Sequence, residues 1–208
     1  MDETIRLGGA SPMDPIDERR HDGSERVEAL ATAIVEKLRL RADDLLVDLG
    51  CGAAPFHREI LRRVRLRHQI IVVDPSGERL ERTTPHPGIR SVRMDPTTFA
   101  RTPVQYDKIL IVDALARIGA QVDLFRRLYA RLNGGGALLV VEPWEAWRRC
   151  SDPVTDFLRS SGFELESAMR TIGASERVGL ITAAKSPPQP DARRRAVGTR
   201  SADVGARA

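Results

Sequence analysis

"LLVDLGCGAAP", Leu45 to Pro55, decides how the rest of the chain is read. Strand-forming apolar residues run into Asp48, and two glycines follow in close succession, Gly50 and Gly52. A short apolar run that ends in a turn reads as a buried strand. Glycines at its end let the backbone turn sharply and come close to a ligand. Pro55 suits the first turn of a following helix, where its missing N–H leaves no bond unmade. Strand, glycine turn and helix in succession are the opening unit of a doubly wound α/β sheet. The dinucleotide form of that unit, G-x-G-x-x-G, would place its third glycine at position 55, where Pro55 stands, so a nicotinamide or flavin dinucleotide fits poorly.

Upstream of this stretch, Val27, Leu30, Ala31, Ile34, Val35 and Leu38 recur at the spacing of one buried helix face, with Ser24 as the expected N-cap. Downstream, strands and helices alternate. "HQIIVVD", "IRSVRMD", "YDKILIVDAL" and "ALLVVEP" read as buried strands, and "SGERLERT" and "AQVDLFRRLYARLN" as helices, the second ended by Gly134 to Gly136. "DPVTDFLRSSG" reads as a helix with a glycine cap, and "FELESAMRT" with "RVGLITAAKS" as a closing antiparallel pair. The expected fold is therefore a doubly wound, mostly parallel seven-stranded sheet with helices on both faces and an antiparallel C-terminal edge.

The 208 residues, 41% of them hydrophobic, suit one globular domain. No run reaches the roughly eighteen apolar residues that span a bilayer, and the first twenty residues lack a signal-peptide core, so a cytoplasmic protein is expected. Cys51 and Cys150 stand far apart without a Cys/His cluster, which indicates neither a zinc site nor a disulfide framework. The formal charge of +4 is uneven: Gln189 to Ala208 holds five arginines and two aspartates, a net +3. Residues 1–23 read as a flexible arm able to act as a lid, 24–186 as the domain, and 187–208 as a disordered basic tail. A solvated tail is preferred over a nucleic-acid contact for Arg193, Arg194 and Arg195.

Ligands of doubly wound sheets sit at the carboxyl ends of the strands, where strand order reverses. Asp48, Asp74, Asp95, Asp113 and Glu142 each close one of the five strands. Any one of them reads equally well as a turn residue. Five in register, with Asp74 placed where a carboxylate can accept from both hydroxyls of a ribose, form a pattern.

These residues resemble the class I S-adenosylmethionine-dependent methyltransferases. The first motif of that family, D-x-G-x-G-x-G, stands here as "DLGCGAA", with Ala54 in place of the third glycine. The resemblance continues in family order through "VVDPSGERLER", "VRMDPTTF", "YDKILIVDALARI" and "LYARLNGGGALLVVEP". It implies S-adenosylmethionine as cofactor and a Rossmann-like methyltransferase fold. It also implies that Gly50, Cys51 and Gly52 approach the methionine part, that Asp48 orients this loop or meets the amino group, and that Asp74 holds the ribose. Pro75 and Ser76 would flank the adenine, Asp95 would accept from its amino group, and Met94 would pack beside it. Asp113 and Ala114 would line the methionine end.

The acceptor is less legible, because transfer from a sulfonium to a nucleophilic acceptor needs positioning more than acid–base help. "DALARIG" lacks the Asn/Asp-Pro-Pro-aromatic run common in methylation of nucleobase amines, and a Glu-rich hairpin suited to protein arginine is also missing. A small molecule is the expected acceptor, and His21, Arg117, Glu142, Trp144 and Trp147 are the residues able to face it. His21 as a general base and Trp144 as a stacking platform are the functional readings, with a solvated histidine and a packed indole preferred over them. The alternative is a methyltransferase-like module that binds or assembles without catalysis; an RNA methyltransferase ranks below both.

Overall fold

Pro15–Leu38 forms α1, and its apolar stripe is the one that the spacing predicts: Ala31, Ile34 and Leu38 are fully buried, with Val27, Leu30 and Val35 packed beside them. The structure, a computed structural model, describes residues 15–50, 56–82, 85–118, 122–172 and 176–187; for 15–23, 82, 167–172 and 176 it describes the backbone course alone. The helix begins at Pro15 rather than at a Ser24 cap, because a proline fits the first turn and Gly23 costs an interior turn only about 1 kcal/mol. The expected arm thus includes helix from Pro15, while 1–14 and 188–208 lie outside the described residues. Arg39 ends α1 in the left-handed region, φ 47°, so that Leu40 N–H closes on the Val35 carbonyl at 3.0 Å.

Strand β1 (Leu46–Leu49) leads to α2 (Phe56–Val64), then β2 (Ile70–Asp74), α3 (Gly77–Arg82), β3 (Ile89–Arg93) and the single turn α4 (Pro96–Phe99). The second half runs β4 (Tyr106–Val112), α5 (Leu115–Ile118), α6 (Val122–Arg131), β5 (Leu132–Pro143), α7 (Trp144–Ser160), β6 (Glu164–Ile172) and β7 (Glu176–Ala184). The seven described strands form one sheet in the order β3-β2-β1-β4-β5-β7-β6. The first five are parallel, and β7 pairs antiparallel with both β5 and β6, the expected closing pair. Strand order reverses between β1 and β4, which places the switch point beside Gly50.

Each face of the sheet carries its own apolar cluster. One gathers Ile34 and Leu38 of α1 with Ile60 of α2 and Leu139 of β5; the other gathers Phe125 and Leu128 of α6 with Val154 and Leu158 of α7. The central strands are buried on both sides, which is why they read as continuous apolar runs. No helix among the described residues is long and apolar enough to cross a membrane.

Two elements depart from the sequence reading. Gly134 to Gly136 do not end α6 but belong to β5, whose pairing with β4 shifts register between Tyr106 and Lys108. A lysine instead takes carbonyls at and just past the end of α6: Lys185 Nζ donates to Tyr129 O at 2.9 Å and to Leu132 O at 2.7 Å. Helix α7 starts at Trp144, upstream of the expected start, and carries Pro153 in its interior on an exposed position. Its end is as expected, with Gly162 at φ 97° and Phe163 N–H closing on Leu158 O at 3.2 Å.

Candidate functional site

Gly50 follows β1 in the left-handed region, φ 73°, and its N–H donates to Val73 O of β2 at 2.7 Å. A Cβ added there would stand 2.8 Å from Ala114 Cβ and 3.0 Å from Ile118 Cγ2. Both the dihedral and the contact require glycine, so the turn is locked between β1 and the β4–α5 connection. Arg117 reaches back to the same turn, Nη2 donating to Gly50 O at 3.1 Å. Cys51, Gly52, Ala54 and Pro55 lie outside the described residues.

Asp48 is fully buried, and its partner is one that the sequence reading did not weigh. His57, in the first turn of α2 and only 1% exposed, places Nε2 at 2.7 Å from Asp48 Oδ2. Asp48 Oδ1 and His57 Nδ1 have no hydrogen-bond partner among the described residues. The pair ties the end of β1 to the start of α2 across the glycine loop. A histidine next to Phe56 in the first turn after the glycine loop was the sequence signal for it.

Asp74 ends β2, also fully buried, and accepts from Ser76 N–H at 2.8 Å. Arg79 from α3 adds Nε donations at 3.0 Å to Oδ1 and 3.1 Å to Oδ2. The carboxylate expected to hold a ribose is thus held by an arginine of its own chain. Pro75 is exposed and Ser76 half-buried beside it. Met94 N–H donates to Asp74 O at 3.2 Å, and its side chain packs against the core from the end of β3.

Asp95 caps α4: its Oδ1 accepts from Thr97 N–H at 2.8 Å, Thr98 N–H at 3.2 Å and the Thr97 hydroxyl. The hydroxyl bond, helped by the two amides and Arg101 against partial burial, holds its carboxyl below the ordinary aspartate range. Asp113 follows β4 with φ 46°, exposed, its N–H donating to Val141 O at 2.8 Å. Aspartate is among the few non-glycine residues that tolerate this region.

Glu142 corrects the expectation that it faces an acceptor. It is 3% exposed, and its Oε1 accepts from Ala114 N–H and Leu115 N–H, each at 2.9 Å. It therefore secures the β4–α5 turn on which Ala114 meets Gly50. Burial raises its pKa, opposed by the Leu115 and Ala114 amides and by Arg117, and reinforced by Asp113. Trp144 opens α7 half-buried and packs against the core. Trp147, 9% exposed, lies over Gly179, where an added Cβ would stand 2.0 Å from its ring. His21 falls within α1 at a position described by backbone alone.

The structure thus joins Asp48, Gly50, Asp74, Met94, Asp113 and Ala114 by direct bonds or strand pairing at the carboxyl edge of β2, β1 and β4, and adds His57, Arg79 and Arg117. The family model described as a methyltransferase domain matches residues 19–174. No curated protein matches the sequence. Among solved structures, the chain resembles the precorrin-6y C5,15-methyltransferase of Geobacter metallireducens GS-15, with TM-score 0.61 and 16% identity, covering 75% of this chain and 88% of that one. A Mesorhizobium loti S-adenosylmethionine-dependent methyltransferase gives TM-score 0.59 at 18% identity, over 76% of this chain and 98% of that one. The Haemonchus contortus phosphoethanolamine N-methyltransferase 2, solved with phosphomonomethylethanolamine and S-adenosylhomocysteine, gives 0.61 at 15%, over 76% and 52%. At these identities the likeness is one of fold.

Proposed function

Because the chain belongs to the methyltransferase-domain family, whose model covers residues 19–174, we propose that it is an S-adenosylmethionine-dependent methyltransferase acting on a small molecule. The observation that carries this reading is the glycine at the switch point: Gly50 is fixed at φ 73° with no room for a Cβ, between Asp48, Asp74 and Asp113 at the ends of three adjoining strands. Such a turn brings bare backbone against a ligand, and the carboxylates match a cation and a diol. The precorrin and phosphoethanolamine methyltransferases that share the fold are named for small acceptors, which supports the same class here.

S-adenosylmethionine supplies an electrophilic methyl group on a sulfonium. The chain's part is placement. Gly50 makes the tight turn beside which the methionine part would lie, held by Arg117 on its carbonyl and backed by the Ala114 turn that Glu142 secures. Asp113, exposed at the end of β4, lies where an ammonium gains most from a carboxylate. Asp74 is the ribose acceptor once Arg79 gives way, and Met94 and Asp95 stand next along the edge for the adenine. No residue is assigned as a general base, because alignment of a nucleophilic acceptor with the departing sulfur supplies most of the rate.

Calorimetric titration of the purified chain with S-adenosylmethionine and S-adenosylhomocysteine tests the proposal. Micromolar binding is expected, weakened at least about tenfold by Asp74→Ala. Absence of binding by both compounds overturns it. The Arg79–Asp74 ion pair favours a second reading, a module whose ribose site is closed and which binds or assembles without transfer. Binding of S-adenosylhomocysteine without turnover of any acceptor in a labelled-methyl metabolite screen would select that reading.

A further inference from the structure

At the amino ends of the strands, away from the glycine turn, two adjoining cavities of about 320 and 390 Å3 open at the end of α1. Both are lined by Arg39, Lys108 and Gly135. Strand register explains the space. Lys108 pairs with Ala137, and Ala137 with Ala184, so the lysine stands beside two methyl groups on the same face of the sheet. Thr182, in the same cavity, shares that face.

Lys108 is 8% exposed, yet its ammonium makes no hydrogen bond or ion pair with the described residues. Burial pulls its pKa below the ordinary lysine value, against the attraction of Asp44 and Asp107 and with the repulsion of Arg41 and Arg39. The carboxylates around the cavities already have partners. Asp44 accepts from Arg41 N–H, Asp107 from Leu45 N–H and Asn133 Nδ2, Glu164 from the Ser186 hydroxyl, and Glu166 pairs with Lys37. The guanidinium groups of Arg39 and Arg41, both exposed, form no ion pair among the described residues. Thr182 Oγ1 is buried and also without a partner. Three cations and a hydroxyl therefore face the groove without an ion pair or hydrogen bond among the described residues, while Asp44 and Asp107 attract Lys108 without bonding to it. An ammonium that opens only onto a groove gains from an anion seated there, because part of its hydration has been removed by burial.

We propose that this groove is a binding site for a small phosphomonoester, with Lys108 Nζ on its floor, Arg39 and Arg41 at its rim and Thr182 Oγ1 as a further hydrogen-bond partner. Guanidinium groups recognise phosphate oxygens in pairs, and a lysine adds a point charge. The depth of Lys108 selects a small ligand over a nucleic-acid backbone, as do Glu164 and Glu166 on the wall. The site is independent of the methyltransferase reading: Lys108 and Asp113 are five residues apart on one strand, roughly 17 Å.

The full chain is titrated with glycerol phosphate, inorganic phosphate and a short RNA at matched ionic strength, read by calorimetry and by Tm. Glycerol phosphate is expected to bind and to raise Tm. Lys108→Met and, independently, Arg39→Gln should weaken it about tenfold or more, while binding of S-adenosylhomocysteine stays unchanged. Without ligand, Lys108→Met should unfold at the same or a higher temperature, since the ammonium it removes makes no bond with the described residues and is partly desolvated. Equal binding of inorganic phosphate supports the site with the free ion as its source. No phosphate-dependent effect, an effect that survives both substitutions, or binding of RNA alone overturns the proposal.

Discussion

Replacing Arg79 by methionine tests whether the chain closes its own ribose site. Arg79 donates through Nε to both oxygens of a fully buried Asp74, while its own side chain is 36% exposed. A hydrogen bond to a charged group is worth about 1.5–3 kcal/mol. Solvent screening of the half-exposed arginine brings this down to about 1–2 kcal/mol. A ribose that takes the same oxygens must displace the arginine, so the wild-type affinity carries that cost. Arg79→Met removes it and keeps the length and volume of the side-chain stem. The expected result is binding of S-adenosylhomocysteine tighter by about 5- to 30-fold, at 1.4 kcal/mol per factor of ten. Calorimetry on both chains reads the change, and Asp74→Asn should lower affinity in either background. Equal or weaker binding in Arg79→Met would refute the reasoning, because the arginine would then stand beside the ribose rather than in its place.

Three further outcomes follow from the same geometry. Gly179→Ala puts a methyl group 2.0 Å from the Trp147 ring, and the buried, rigid indole cannot yield cheaply, so urea unfolding should show a loss of about 3 kcal/mol. His57→Phe leaves the Asp48 carboxylate buried without its described partner and should cost about 3 kcal/mol by the same measurement, with the greater part recovered by adding Asp48→Asn. Glu142 has a folded pKa raised above 4.5, so the folded state holds its proton more tightly than the unfolded one. Its contribution is greatest below pH 4.5 and declines as pH rises through the folded value. Glu142→Gln keeps an oxygen for Ala114 and Leu115 and removes this decline, so Tm followed from pH 4.5 upward should fall less steeply in the variant.

The fold was legible because its signals are local. Apolar runs ending in Asp48, Asp74 and Asp113 mark strands buried on both faces, and Gly50 sits where only glycine fits. The partners of those acids were not legible. Arg79 meets Asp74 only because α3 turns back over the end of β2, and Glu142 reaches amides twenty-eight residues away by the pairing of β4 with β5. The start of α7 was missed for a different reason. Pro153 satisfies the rule for a first turn, yet it stands inside the helix, at an exposed position where water can take the carbonyl that loses its partner. Glu142, whose Oε1 is taken by two amides, and the packed ring of Trp144 show why strand-end residues counted as acceptor contacts from sequence alone: polarity and aromaticity mark the edge of a core as readily as a site.

The place of β7 in the sheet bears on synthesis. Among the described strands it is the last made, yet it lies between β5 and β6 and pairs with the outer edge of β5 from Ala137 to Pro143. Until residues 176–184 have left the ribosome, the nascent chain presents that apolar strand with an open edge, able to pair with the same strand of a neighbour. A chain stopped before Arg177 would keep all five parallel strands and still be expected to aggregate, so yield during expression depends on residues 176–184 more than on the part that holds the glycine turn.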